Sequence, residues 1–156
     1  QYLDFERAGT REGAAEEIRR LVDRALLTPE QGEAADPARI AAFFASDLGR
    51  ELMASTSLRR EFKFSILVPA ADYYPQAGAE EQVLLQGVVD CCFETLEGIT
   101  VVDFKTDRVD RRSVAARAEE YRPQLAAYSR ALEEITGKPV IRRCLWFFAL
   151  DQAVDV

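Results

Sequence analysis

Two carboxylates and a lysine sit on two strand-like runs of this chain. Asp90 closes Gly87-Val88-Val89-Asp90, and Asp103 and Lys105 alternate within Val101-Val102-Asp103-Phe104-Lys105. Glu97-Gly98 between the runs is a turn signal, so a hairpin would fold one carboxylate back beside the other. If Glu97 and Gly98 alone form the loop, Asp90 stands opposite Lys105; with a four-residue loop it stands opposite Asp103. Either register places all three groups on one face, because side chains alternate along a strand. Such a set suits a hard cation: Mg2+ takes oxygen ligands, usually one or two carboxylates completed by water and substrate phosphate. A metal that acidifies water and offsets charge at phosphorus, beside an ammonium that steadies developing negative charge, describes phosphodiester hydrolysis.

A simpler reading competes with this one. An isolated Asp-x-Lys on a strand is usually a solvated face, and a structural Asp90–Lys105 ion pair would explain both residues. Against the solvated face, Asp103 follows Ile99, Val101 and Val102 and precedes Phe104. In so apolar a strand a carboxylate needs a partner or a metal. A later helix adds Tyr121, Gln124 and Tyr128 on one side at i, i+3, i+7, with Leu132 continuing the stripe. Tyr128 fits a core equally well, since a tyrosine packs and hydrogen-bonds at once. Gln124 is the sharper signal: an amide facing apolar sheet requires a partner, and water of a metal site or a DNA phosphate would supply one.

The elements that must position these residues divide at about residue 58. Before it, Thr10 caps a helix carrying Ile18, Leu21, Val22 and Ala25 and ending near Leu27. Thr28-Pro29 and Asp36-Pro37 each start a short helix, and Ser46 or Asp47 starts a fourth to Ala54. From Leu58 the period becomes two, with Phe62, Phe64, Ile66 and Val68 alternating with polar residues, and 70–81 is a loop. After the hairpin, Ser113 caps a helix to about Glu120, Pro123 opens a second helical stretch to Ile135, and a last strand, Val140 to Phe148, completes the sheet. This predicts a single α/β domain: residues 1–57 a helical lead-in and 58–156 the core, a mixed central sheet flanked by helices. Trp146 is expected to pack rather than to stack on a base.

Gly-Val-Val-Asp, Val-Asp-Phe-Lys-Thr-Asp-Arg and Tyr-Arg-Pro-Gln-Leu-x-x-Tyr, in this order, resemble the RecB-type branch of the PD-(D/E)xK nucleases. Within it they are most similar to the C-terminal nuclease domains of AddA-type helicase-nucleases, over about Arg59 to Phe148. The resemblance implies a restriction-endonuclease-like fold. It implies metal ligands at Asp90, Asp103 and the backbone carbonyl of Phe104, with Glu61 as a further candidate, the lysine at Lys105, and the helical motif at Gln124 and Tyr128. It also implies Mg2+, with Mn2+ as a substitute, and a DNA exonuclease acting in break repair and recombination on duplex ends and on strand fed by a helicase. ATP would belong to a helicase part outside these residues, and an AddB-like subunit would be the partner. The family carries a histidine ligand near the start of its core, and this chain has none. The chain is therefore expected to be a fragment cut downstream of that residue, natural loss being the other explanation. The alternative function is a non-catalytic DNA-guiding or docking domain with the same fold, against which the retention of Asp90, Asp103 and Lys105 together argues.

Composition agrees with a folded cytoplasmic piece. At 156 residues, 48% apolar and 30% charged, the chain can bury one core. Three cysteines, two of them adjacent, exclude a disulfide framework and lack the number and spacing for an iron-sulphur cluster. No apolar run approaches the roughly 20 residues of a membrane span. The net charge of -7 is uneven, for residues 104–143 carry ten basic and six acidic side chains, a balance compatible with phosphate contacts.

Overall fold

The computed structural model describes residues 2–156. Five strands form one mixed sheet in sequence order: β1 (Arg59–Pro69), β2 (Gln82–Glu94), β3 (Ile99–Lys105), β4 (Val140–Phe147) and β5 (Gln152–Asp155). All neighbours are antiparallel except β3 and β4, which run parallel and are joined by the long helix α5 (Val114–Thr136). Helices α1 (Arg11–Asp23), α2 (Pro29–Ala34), α3 (Pro37–Ala45) and α4 (Asp47–Ala54) precede the sheet. This is the expected α/β architecture, a mixed sheet flanked by helices, consistent with a restriction-endonuclease-like fold.

Alternation along the strands sends their apolar residues into two layers. On one face Phe43, Phe44, Leu48 and Leu52 of α3 and α4 meet Cys91, Phe93, Val102, Cys144 and Trp146. On the other, Tyr128, Ala131 and Leu132 of α5 cover Phe64, Ile66, Val89 and Val101, while Leu125 covers Leu145 and Phe147. Trp146 is 2 % exposed and packs edge-on against Phe43, as its sequence context suggests. The helical lead-in thus shares a core with the sheet.

Local signals in the first third are realised. The Thr10 side chain accepts from Gly13 N, Thr28 and Gln31 form a reciprocal capping box, and the side chains of Asp36 and Ser46 cap α3 and α4. Four expectations need correction. Helix α1 stops at Asp23, short of Leu27, because the chain turns through Ala25 at φ 54°. Ser113 does not cap α5; it closes a turn on Asp110, whose carboxylate accepts from the Ser113 amide and hydroxyl. The two helical stretches about Pro123 are one helix of 23 residues. Pro123 is on the exposed side, so the Glu119 carbonyl that loses its amide partner can turn to water. Finally, the sheet continues past β4 into β5, four residues paired with the end of β4 after a turn at Asp151 (φ 50°).

Candidate active site

The hairpin settles on the four-residue loop. Glu94 pairs with Ile99 and Cys91 with Val102, so Asp90 falls opposite Asp103. The ladder ends there, and the Asp90 side chain takes the next bond: its Oδ2 accepts from the Phe104 amide at 2.9 Å. On the other side of β2, the register sets Asp90 opposite Glu61, which has φ 50°. A positive φ is uncommon for a long L side chain and marks a place where the surroundings override local preference. Facing also reverses there. Arg60 stacks on Phe5, on the α3 side, whereas Phe62 and Phe64 pack toward α5. Cys91 likewise faces α3 while Val89 faces α5. Both strands therefore switch faces at the Glu61–Asp90 pair.

Asp103 lies on the α5 side and is 2 % exposed. Its buried Oδ2 is held by Lys105, whose Nζ lies 2.5 Å away. Burial pushes the Asp103 carboxyl above its ordinary range, Lys105 pulls it back, and the Asp90 charge adds to the upward push. The ion pair is thus Asp103–Lys105, and the competing Asp90–Lys105 pair is absent among the described residues. Lys105 also donates to Gln124 Oε1 at 3.1 Å, and Gln124 Nε2 donates to the Tyr128 hydroxyl at 2.7 Å. Gln124 thus bridges Lys105 and Tyr128. Tyr128 packs as well as bonds: its ring meets Phe64 edge-on at 5.9 Å, over Gly87. A Cβ at Gly87 would stand 2.7 Å from the Phe64 ring and 3.4 Å from Tyr128, so this close approach needs glycine.

Three residues outside the expected catalytic set, Tyr121, Asp107 and Arg117, complete the surroundings of Lys105. Its ammonium lies 3.7 Å from the centroid of the Tyr121 ring, a cation–π contact. The Tyr121 hydroxyl donates to Asp107 Oδ2 at 2.9 Å and accepts from Arg117 at 2.8 Å, and Arg117 also donates to Asp107. Tyr121 is in the helical stripe read from sequence, but the partner that fixes it comes from the Lys-Thr-Asp-Arg run that precedes the helix.

Among the described residues no three His, Cys, Asp or Glu side chains gather as a metal cage. The oxygens at hand are those of Asp90, Asp103 and the Phe104 carbonyl, with Glu61 opposite Asp90. The cysteines are free and buried, and burial raises Cys91 to about 12 and Cys92 to about 11. They are inert thiols rather than nucleophiles. A cleft of about 1120 Å³ opens on the α3 side beside Asp90 and Glu61, lined also by Phe5, Arg39, Phe104 and Arg108, whereas Asp103 and Lys105 lie outside its lining. No helix among the described residues is long and apolar enough to cross a membrane.

The family model described as the PD-(D/E)XK nuclease superfamily matches residues 2–154. An ATP-dependent helicase/nuclease subunit from Acetivibrio thermocellus is 41% identical over 152 residues, covering 95% of this chain and 12% of that protein. The proteins of the same name from Bacillus cytotoxicus and Clostridium botulinum are 37% and 34% identical, each match covering the whole of this chain. The chain spans 12% or 13% of the length of these relatives.

Proposed function

The chain belongs to the PD-(D/E)XK nuclease superfamily, and from that premise we propose that it hydrolyses DNA phosphodiester bonds as the Mg2+-dependent nuclease module of a helicase-nuclease. The observation that carries this reading is the buried Asp103–Lys105–Gln124–Tyr128 chain of contacts with Asp90 at its edge. It buries a carboxylate against a lysine and beside a second carboxylate, Asp90, whose charge adds to the burial that holds the Asp103 carboxyl above its ordinary range.

A divalent ion fits these residues. Burial raises the Asp103 carboxyl and the like charge of Asp90 adds to the push, so a bound cation would favour its charged form. Asp90, Asp103 and the Phe104 carbonyl would hold it, with Glu61 as a further candidate. When bound, the ion supplies an acidified water and charge neutralisation at phosphorus. The protein's own groups do the rest. Lys105 is held by Asp103, Gln124 and the Tyr121 ring, so its charge meets developing negative charge without reorganising. Gln124 and Tyr128 fix the direction of that ammonium. Asp90, through the Phe104 amide, holds the end of β3 in register.

The relatives' name joins helicase and nuclease activities. On that basis the finer reading is an exonuclease that trims strand delivered by a motor, in double-strand break repair and recombination in the bacterial cytoplasm, with an AddB-like partner. ATP would act only at the motor. In the full-length protein, Asp103→Ala or Lys105→Ala should abolish cleavage of a linear duplex while ATP-driven unwinding persists. Undiminished cleavage by the Asp103 variant would remove this mechanism.

A further inference from the structure

The basic side chains of residues 104–143 are not equivalent. Lys105, Arg117, Arg122, Arg130, Lys138 and Arg142 each form an ion pair with a carboxylate of this chain. Those charges are largely neutralised within the molecule. Among the described residues Arg108, Arg111, Arg112 and Arg143 form none, and the first three stand together in the loop between β3 and α5. All three are exposed.

The loop that carries them is braced from within. Asp107 is held by Arg117 and Tyr121. Burial works against its charge, yet those hydrogen bonds keep its carboxyl below the usual range. Asp110 accepts from the amides of Arg112 and Ser113 and from the Ser113 hydroxyl. Both acidic residues of the run are thus spent on fixing the backbone, and neither forms an ion pair with the three arginines of the loop. Arg108 lines the same cleft as Asp90, Glu61 and Phe104, and the loop leaves β3 directly after Lys105. Arg108 at the cleft, followed in the same braced loop by the exposed and uncompensated Arg111 and Arg112, makes a phosphate-binding rim beside Asp90.

We propose that Arg108, Arg111 and Arg112 bind consecutive phosphates of a single nucleic-acid strand and lead it along the cleft to Asp90. This rests on the nuclease reading of Asp103 and Lys105. It also accounts for how a chain of net charge -7 receives a polyanion: the positive charge needed is concentrated in one loop rather than spread over a face.

The test uses the full-length protein and a labelled single-stranded oligonucleotide, with KM and kcat measured across a range of salt. Replacing the three arginines together by alanine should raise KM at least tenfold. The log–log salt slope should flatten by about 2, from roughly 0.7 for each phosphate no longer held. Replacement by lysine should restore most of both, since charge rather than shape is read at a phosphate. Binding of the same oligonucleotide by Lys105→Ala, with and without the alanine changes, reads the interaction without turnover. Unchanged KM, affinity and salt slope in the alanine variant, with Lys105→Ala inactive, would overturn the strand path. A loss of activity without change in slope would overturn it too, and would point to a protein partner on this loop. Cleavage that survives Lys105→Ala would instead defeat the site reading beneath it.

Discussion

Lys105 owes its position to three neighbours of different chemistry, and the consequences of removing each should differ. Gln124→Ala takes a neutral acceptor from a charged donor, an interaction of about 1.5–3 kcal/mol, so cleavage should fall on the order of 10- to 100-fold. Tyr121→Leu removes the ring beneath the ammonium, a partly buried cation–π contact of about 1–2 kcal/mol, and should lower kcat roughly 5- to 30-fold with KM unmoved. Tyr121→Phe keeps the ring and should recover most of that loss. Tyr128→Phe removes only the far end of the chain and should be the mildest of the four. Steady-state cleavage kinetics of these variants, beside their melting temperatures, check the order; a Tyr121→Leu enzyme with full kcat would show that the ring is packing alone. At this scale the sequence disclosed the donors better than their partners. Strand alternation places Asp103 and Lys105 on one face, and helical spacing places Tyr121, Gln124 and Tyr128 on one side. Neither periodicity says how a strand and a helix are rotated against each other. That rotation decides that Lys105 reaches Gln124, and that Gln124 bridges it to Tyr128.

Elements show the same division between local signals and long-range choice. Caps at Thr10, Thr28, Asp36 and Ser46 are contained in three or four consecutive residues and were legible. Pro123 misled because its cost is local while the packing that keeps α5 continuous, Ala118 and Leu125 against β4, lies on either side of it. β5 escaped because four residues carry too little alternation, and it exists only because β4 offers an open edge. The face reversal at Glu61 and Asp90 had no sequence signal at all, since both strands keep a period of two on either side of it. One element-level contact carries a pH signature. Glu17 of α1 is 1 % exposed and accepts from the Asp4 amide, Arg7 and Arg20, tying the N-terminal segment to the helix. The Arg20 hydrogen bond, opposed by burial, lowers its pKa to about 2 from 4.5. Because the folded value is depressed, the stabilisation is fully present above pH 4.5 and is lost as pH falls toward 2. Melting curves of the parent and Glu17→Gln should therefore differ by a constant amount above pH 5, on the order of 2 kcal/mol, and converge between pH 4.5 and 2. A gap that persists at the lowest pH would assign the effect to packing.

At the scale of the whole molecule, charge and metal affinity set the limits on activity. The described residues offer two carboxylates, a carbonyl and the nearby Glu61, without a third side chain gathered as a cage. Mg2+ gives up its water reluctantly, so an ion held by so few protein ligands remains largely hydrated and weakly bound until substrate phosphate adds to its coordination. The Lys105 ammonium, 2.5 Å from Asp103, competes for the same carboxylate. The net charge of -7 opposes unaided approach of a polyanion, and six of the ten basic groups in residues 104–143 are already paired. The 156 residues alone should therefore fold around their shared core yet need millimolar Mg2+ or Mn2+ for measurable occupancy, and they should cut a short duplex slowly. Lys105→Ala should raise metal affinity while it removes cleavage, because it frees an oxygen of Asp103 and withdraws a competing positive charge. Calorimetric titration of the 156-residue chain and its Lys105→Ala variant, run beside single-turnover cleavage, separates these effects. Micromolar metal binding with brisk cutting by the unaltered chain would show that the two carboxylates suffice. Weaker metal binding by the Lys105→Ala variant would place the ion away from Asp103.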